Sequence, residues 1–322
     1  MTNLRHIGVV SMVAAIAYLW SPKDRIYRVQ EAFRDTAPGE FIEINGVRTH
    51  YTIQGSGELI VMIHGLGSGW SQAFGDMIPH LTKTNTVLAF DLYGVGFSDG
   101  TSENMDMERI VSHLAQLLLK LSVRTKGLTV RPFTLVGYSM GGAAATGFAL
   151  EFDSLIKNLI LMAPAGVKVP IPVEGELIKI PIIGDLLFQA MAPFIIKNQL
   201  PRGHIKGDDF DETVKAHRHS NITARTKHHP GYVRSLLSSL RHFPLSDFEE
   251  GLRQLQDKSF PAMVIWGDHD LVCPYESGSK RILELVPRIK LHTVKDSGHD
   301  DLSESLAPDV SKTIADFANN GG

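Results

Sequence analysis

The sequence predicts an α/β fold, with a mostly parallel sheet, helices on both faces and an inserted helical cap. Three observations predict it. The runs at 59–63, 87–90 and 159–162 are apolar throughout, and that at 133–136 is broken only by Thr134, rather than alternating, as suits strands covered on both faces of a parallel sheet. Stretches of helical or loop character separate them, and strands alternating with helices build a layered parallel fold. The alternation stops at Ala163-Pro164-Ala165-Gly166 and returns only at Pro261. That leaves roughly ninety residues of different character, too many for a structureless loop inside a compact domain.

Composition narrows the function classes. A chain of 322 residues, 43% hydrophobic and 21% charged, can bury a large core and reads as one domain with an insertion. Its formal net charge of −3 supplies no basic face for phosphate, so nucleic acid is not an expected partner. Cys273 is the single cysteine, which excludes an intramolecular disulfide framework and a thiolate zinc site and suits a small buried apolar residue.

Residues 7–20 form an uninterrupted run of apolar or small residues, preceded by Arg5 and followed by Ser21-Pro22-Lys23-Asp24-Arg25. As a helix it reaches only about 21 Å, short of the roughly 30 Å hydrocarbon core. It is expected to be an uncleaved membrane anchor. The alternatives are a helix packed on the protein itself and export after signal cleavage following Ala15-Ile16-Ala17, which leaves an h-region of only about eight residues. Residues 23–40 are expected to be a linker, and a chain starting near Glu40 is expected to be soluble and active.

From Phe41 the pattern is strand-like. The runs 41–44 and 47–53 flank Asn45-Gly46, a type I′ hairpin signal, so an antiparallel hairpin is expected at the sheet edge. The run 59–63 ends in His64-Gly65-Leu66-Gly67-Ser68-Gly69-Trp70, which places backbone N–H groups at the carboxyl edge of the sheet, where open α/β folds bind ligands. His64 is expected to be hydrogen-bonded beneath that loop rather than to act as a base. After 87–90 comes Asp91, expected to hold loop backbone. From about 105 to 121, Ile110, Leu114, Leu117, Leu118 and Leu121 recur at helical spacing, with His113 expected in solvent.

The run 133–136 breaks into Gly137-Tyr138-Ser139-Met140-Gly141 and then Ala143-Ala144-Ala145. Strand, sharp turn and helix put Ser139 at the apex of a nucleophile elbow, with glycines where Cβ atoms would collide. The stretch 166–258 is expected to be the cap. Some of the residues of its aliphatic first half, which includes Ile171, Leu177, Ile183, Leu187 and Phe194, are expected to face the cleft above Ser139, the alternative being that they only bury one another and the underside of the cap. His217, His219, His228 and His229 lack spaced carboxylate or thiolate partners, so they are expected on a solvated cap surface rather than around a metal. After the cap, Gly267-Asp268-His269-Asp270 follows one strand and Gly298-His299 follows the last, 289–294. Ser139, an aspartate and His299 thus stand in the chain order of one catalytic triad arrangement.

Those residues carry a family resemblance. His64-Gly65-Leu66-Gly67, the Asp91-x-x-Gly-x-Gly-x-Ser98 loop, Gly137-x-Ser139-x-Gly141, Gly267-x-x-Asp270 and Gly298-His299 resemble the α/β-hydrolase superfamily from about residue 40 to 320. The resemblance implies an eight-stranded sheet, with core segments 41–165 and 259–322 around the cap at 166–258, and the apolar run before them gives an anchor or signal at 1–22. It implies Ser139 as nucleophile, His299 as base and Asp270 as the acid that orients it, with Asp268 as the rival acid. It also implies an oxyanion hole from the backbone N–H groups of Leu66 and Met140, and no metal or organic cofactor. Serine at 139 argues against the branches that use a carboxylate nucleophile. The chain most resembles membrane-anchored esterases and monoacylglycerol lipases with a helical cap, implying a small-molecule hydrophobic ester as substrate. Carbon–carbon bond hydrolysis of vinylogous diketones by the same triad and a noncatalytic receptor or scaffold are the alternatives.

Overall fold

A computed structural model of the chain describes residues 25–125, 131–168, 180, 184–185, 187–188, 203 and 227–321. Among the described residues, ten strands run in chain order as β1 (Ile26–Tyr27), β2 (Glu40–Ile44), β3 (Val47–Gly55), β4 (Glu58–Ile63), β5 (Asn85–Phe90), β6 (Gly100–Thr101), β7 (Phe133–Tyr138), β8 (Ile156–Met162), β9 (Ala262–Gly267) and β10 (Lys290–Val294). The helices are α1 (Glu31–Arg34), α2 (Trp70–Ala73), α3 (Ile78–Leu81), α4 (Met107–Arg124), α5 (Met140–Glu151), α6 (Tyr232–His242), α7 (Glu249–Gln254), α8 (Tyr275–Leu285) and α9 (Ala307–Asn320).

Eight strands form one sheet in the order β10-β9-β8-β7-β4-β5-β3-β2. Pairing is parallel from β10 to β5, and β3 joins β5 and β2 antiparallel. The hairpin β2–β3 turns at Asn45 and Gly46 with φ of 51° and 78°, the double positive φ of a type I′ turn. All residues of β5, β7 and β9 are buried, which requires cover on both faces. Two packed groups of helices supply it: α4, α5 and α7 in one, α3 and α9 in the other.

The helix α4 is capped by Asp106, whose Oδ1 accepts from the Arg109 N–H at 2.9 Å. It buries the predicted face together with His113. The expectation of a solvated His113 is therefore corrected: its Nε2 lies 2.8 Å from Thr49 Oγ1 and its ring stacks on Tyr93 at 3.6 Å. Burial, then Arg109, push its pKa well below the usual imidazole range, so the ring packs as a neutral aromatic.

The expected linker is also corrected over its described part. Strand β1 pairs with β6 through Ile26 and Thr101, and Phe33 stacks on Phe97 at 4.8 Å. Arg34, 4% exposed, pairs through Nη2 with the buried Asp99, which also accepts the Val29 N–H at 2.9 Å. Residues 25–39 are thus part of the fold. The apolar run 7–20 lies outside the described residues, and among the described residues no helix is long and apolar enough to cross a membrane.

Of the stretch 166–258, the described part has two characters. Tyr232, Leu236 and Leu237 of α6 join Val95 and Phe188 in a small apolar cluster. Phe243, Leu252 and Leu255 instead enter the main core, so the end of the inserted stretch belongs to the main layer. His217 and His219 lie outside the described residues, as do most of the aliphatic residues at 171–196. His229 is corrected from surface to interior: it is 1% exposed, with Nε2 2.8 Å from the Ser98 carbonyl oxygen. His228 is half-buried, with Nδ1 2.8 Å from Gln30 Oε1. Among the described residues no group of His, Cys, Asp or Glu could hold a metal ion.

Candidate active site

Ser139 joins β7 to α5 with φ 57° and ψ −120°, a conformation that a non-glycine residue keeps only when its surroundings impose it. They do so from three sides. The Ser139 N–H donates to the Met162 carbonyl at 2.9 Å, and its carbonyl accepts from Gly142 and Ala165 at 2.8 and 3.0 Å. A Cβ at Gly137 would collide with the Gly141 carbonyl, and one at Gly141 with that of Ile63. Both glycines of the motif are therefore required by close backbone approach.

The other predicted residues converge on the same edge of the sheet. The turn after β9 carries Asp270 and the loop after β10 carries His299, which adjacent parallel strands bring together: Asp270 Oδ2 lies 2.7 Å from His299 Nδ1. The carboxylate is otherwise filled. Its Oδ1 accepts from the N–H groups of Val272 and Cys273 at 2.8 and 2.9 Å, and Oδ2 from Trp266 Nε1 at 3.2 Å. Burial disfavours the imidazolium of His299, but the charge and hydrogen bond of Asp270, then Asp300, outweigh it and raise its pKa. Asp268 turns elsewhere, to His269 Nδ1 at 2.7 Å and Lys295 Nζ at 3.3 Å. The Cys273 thiol contacts the Ser139 side chain, and burial, then Asp270, raise its pKa. It is held as a thiol beside the serine.

The loop after β4 passes directly over the elbow, since a Cβ on Gly65 would lie 3.0 Å from Ser139 Cβ. Leu66 follows in that loop, and Met140 is the first residue of α5, where N–H groups have no carbonyl one turn earlier. His64 lies beneath as expected: Nδ1 is 2.8 Å from the Gly65 carbonyl oxygen, and Nε2 accepts the Leu92 N–H at 3.0 Å. Asp91 accepts from the backbone of Trp70 at 2.6 Å and of Phe97 at 2.9 Å. It also meets His50 Nδ1 at 2.6 Å, a partner with no motif around it in the sequence. Burial alone would raise the Asp91 pKa, but His50 overrides it and the carboxyl sits below its usual range. From the inserted stretch, Tyr232 Oη donates to the Gly67 carbonyl at 2.8 Å.

The α/β hydrolase fold family model matches residues 58–306. The chain belongs to this family. A 2-hydroxy-6-oxononadienedioate/2-hydroxy-6-oxononatrienedioate hydrolase of Comamonas testosteroni is 28% identical over 303 residues, covering 89% of this chain and 98% of its own. Two similar solved structures are α/β-hydrolase folds with different chemistry in their names. A meta-cleavage product hydrolase from Pseudomonas fluorescens aligns with a TM-score of 0.69 at 22% identity, over 88% of this chain and 98% of its own. A thermophilic esterase from Thermogutta terrifontis aligns with a TM-score of 0.69 at 20% identity, over 88% and 99%. At such identities the structural likeness carries the fold alone. Family membership makes the protein a hydrolase, and the bond it cleaves is a matter for its own site.

Proposed function

We propose that this α/β-hydrolase is a serine hydrolase that cleaves carboxylic esters of hydrophobic, lipid-like substrates through an acyl-enzyme on Ser139. The observation that carries the reading is the Asp270–His299 pair at 2.7 Å on the same sheet edge as the strained Ser139 elbow. Asp270 holds Nδ1–H, so Nε2 is the nitrogen left to take the Ser139 proton. Ser139 Oγ then attacks the ester carbonyl, and the N–H groups of Leu66 and Met140 receive the oxyanion. His299 returns the proton to the leaving alcohol. Water activated by His299 next attacks the acyl carbonyl, Ser139 Oγ leaves and takes back a proton, and the carboxylic acid departs.

A lipid-like acyl group is supported by the aliphatic composition of 171–196 and by exposed Leu271 and Val272 beside Asp270. If that composition lines the cleft, each added methylene of a soluble ester contributes up to about 0.8 kcal/mol of transition-state binding, roughly fourfold in kcat/KM. A p-nitrophenyl series kept below the critical micelle concentration is expected to rise from acetate to at least hexanoate. A steady fall from acetate would leave the hydrolase standing and remove the lipid-like substrate.

The second reading is carbon–carbon bond hydrolysis, favoured by the Comamonas relative. Its named substrate contains no ester, so water must divide a bond beside the oxo group. Parallel assays of a vinylogous diketone and the ester panel separate the two readings. Failure of Ser139 to take a fluorophosphonate would favour a noncatalytic receptor or scaffold.

Membrane attachment is part of the same proposal and rests on the apolar run 7–20. Full-length protein is expected in the membrane pellet after carbonate washing. Release of the intact chain would remove the anchor, and a mature terminus at Tyr18 would establish export with cleavage.

A further inference from the structure

Tyr138, the residue before Ser139, lies in the interior at 4% exposure. Its ring centroid is 4.9 Å from that of His299, tilted by 32°. Its hydroxyl donates to Asp300 Oδ1 at 2.7 Å and, more weakly, to the carbonyl of His299 itself at 3.3 Å. We propose that Tyr138 is a positioning residue that, with Asp300, ties the loop bearing His299 to the nucleophile elbow and so sets the imidazole against Ser139. This rests on His299 acting as the base for Ser139.

The need for such a tie follows from where the base sits. His299 hangs on a loop after β10, the edge strand of the sheet, whereas Ser139 follows β7 in its middle. The bond from Asp270 holds Nδ1 but leaves the ring free to pivot about that contact. The loop is braced to itself by Asp301, which accepts the Gly298 N–H at 2.9 Å, and to the Asp268 turn by the His269 N–H, which donates to the Ser297 carbonyl at 2.9 Å. Tyr138 adds the connection to the elbow, from a residue covalently next to the nucleophile. Asp300 is confined on its other side, since a Cβ at Gly203 would collide with its carboxylate. Burial, then Asp300, keep the Tyr138 pKa well above its usual value, so the hydroxyl remains a donor across the working pH range. The titratable groups around the imidazole and this hydroxyl are Asp270 and Cys273 from the turn after β9, Tyr138 from the elbow, and Asp300 and Asp301 from the loop itself.

The test compares Tyr138→Phe, Asp300→Asn and the double variant with the parent in the full chain. One readout is the rate of fluorophosphonate labelling of Ser139, which needs the elbow, the base and the oxyanion donors but no particular substrate. The other is kcat and KM on a soluble p-nitrophenyl ester. Tyr138→Phe is expected to slow labelling and kcat together by about 10- to 100-fold at nearly unchanged KM, as displacement of a catalytic group by a fraction of an ångström does. The double variant is expected to lose no more than the worse single one, because both changes break one tie. Asp300→Asn is also expected to move the acid limb of the labelling rate to lower pH: His299 accepts a proton only when neutral, and its charged form has lost a neighbouring carboxylate. A parental labelling rate per folded Tyr138→Phe molecule overturns the proposal, as does additive loss in the double variant. Should Tyr138→Phe fail to fold, a parental labelling rate and acid limb in Asp300→Asn overturn it. Absence of ester turnover in a parent that labels normally counts against the ester reading alone.

Discussion

Replacing Ser139 by Ala is expected to lower ester turnover by on the order of 10⁴ to 10⁶ fold with the fold intact, because the covalent route vanishes and only binding and the oxyanion donors remain. The site can absorb the change, since Ser139 is held by its backbone to Met162, Gly142 and Ala165 rather than by its hydroxyl. His299→Ala is expected to be comparably severe. Asp270→Asn is expected to cost on the order of 10⁴ fold, because an amide facing Nδ1 no longer stabilises the imidazolium and can impose the wrong tautomer. Asp268→Asn is expected to stay near the parent, since that carboxylate binds His269 and Lys295 instead. Single-turnover and steady-state rates on folded protein check the set. Greater damage from Asp268→Asn than from Asp270→Asn would overturn the acid assignment.

Arg34→Ala is expected to destabilise the protein by about 3–5 kcal/mol, the cost of leaving a buried carboxylate without its cation. Asp99 is fully buried and Arg34 is 4% exposed, so solvent cannot take over the pairing. Arg28 approaches the same carboxylate at 3.5 Å but is 54% exposed, and it replaces little. A chain beginning at Glu40 loses Arg34, the Val29 N–H donor and the β1–β6 pairing together. It is expected to be less stable still, whereas a chain beginning at Arg25 keeps all three. Urea midpoints of the three proteins check this. A loss below about 1 kcal/mol for Arg34→Ala would mean that Asp99 finds another partner or is rehydrated.

What the sequence determined by itself is local. Largely apolar runs placed β4, β5, β7, β8 and β9, because a strand covered on both faces does not alternate, whereas strand-like runs around Asn45-Gly46 and at 289–294 placed β2, β3 and β10. Asn45-Gly46 specified its own turn, because only residues tolerant of positive φ form it. Gly137 and Gly141 marked the elbow, because close backbone approach excludes a Cβ. The same local character misled where partners are distant in the chain. His113 and His229 read as solvated because nothing beside them in sequence shows Thr49, Tyr93 or the Ser98 carbonyl. Residues 25–39 read as a linker because the buried partner of Arg34 is Asp99, 65 residues later. The His50–Asp91 pair and the hydrogen bond from Tyr138 to Asp300 were likewise visible only in tertiary structure. The physical reason is common to them: a polar side chain becomes buried and oriented only where another element supplies the partner that offsets its loss of water.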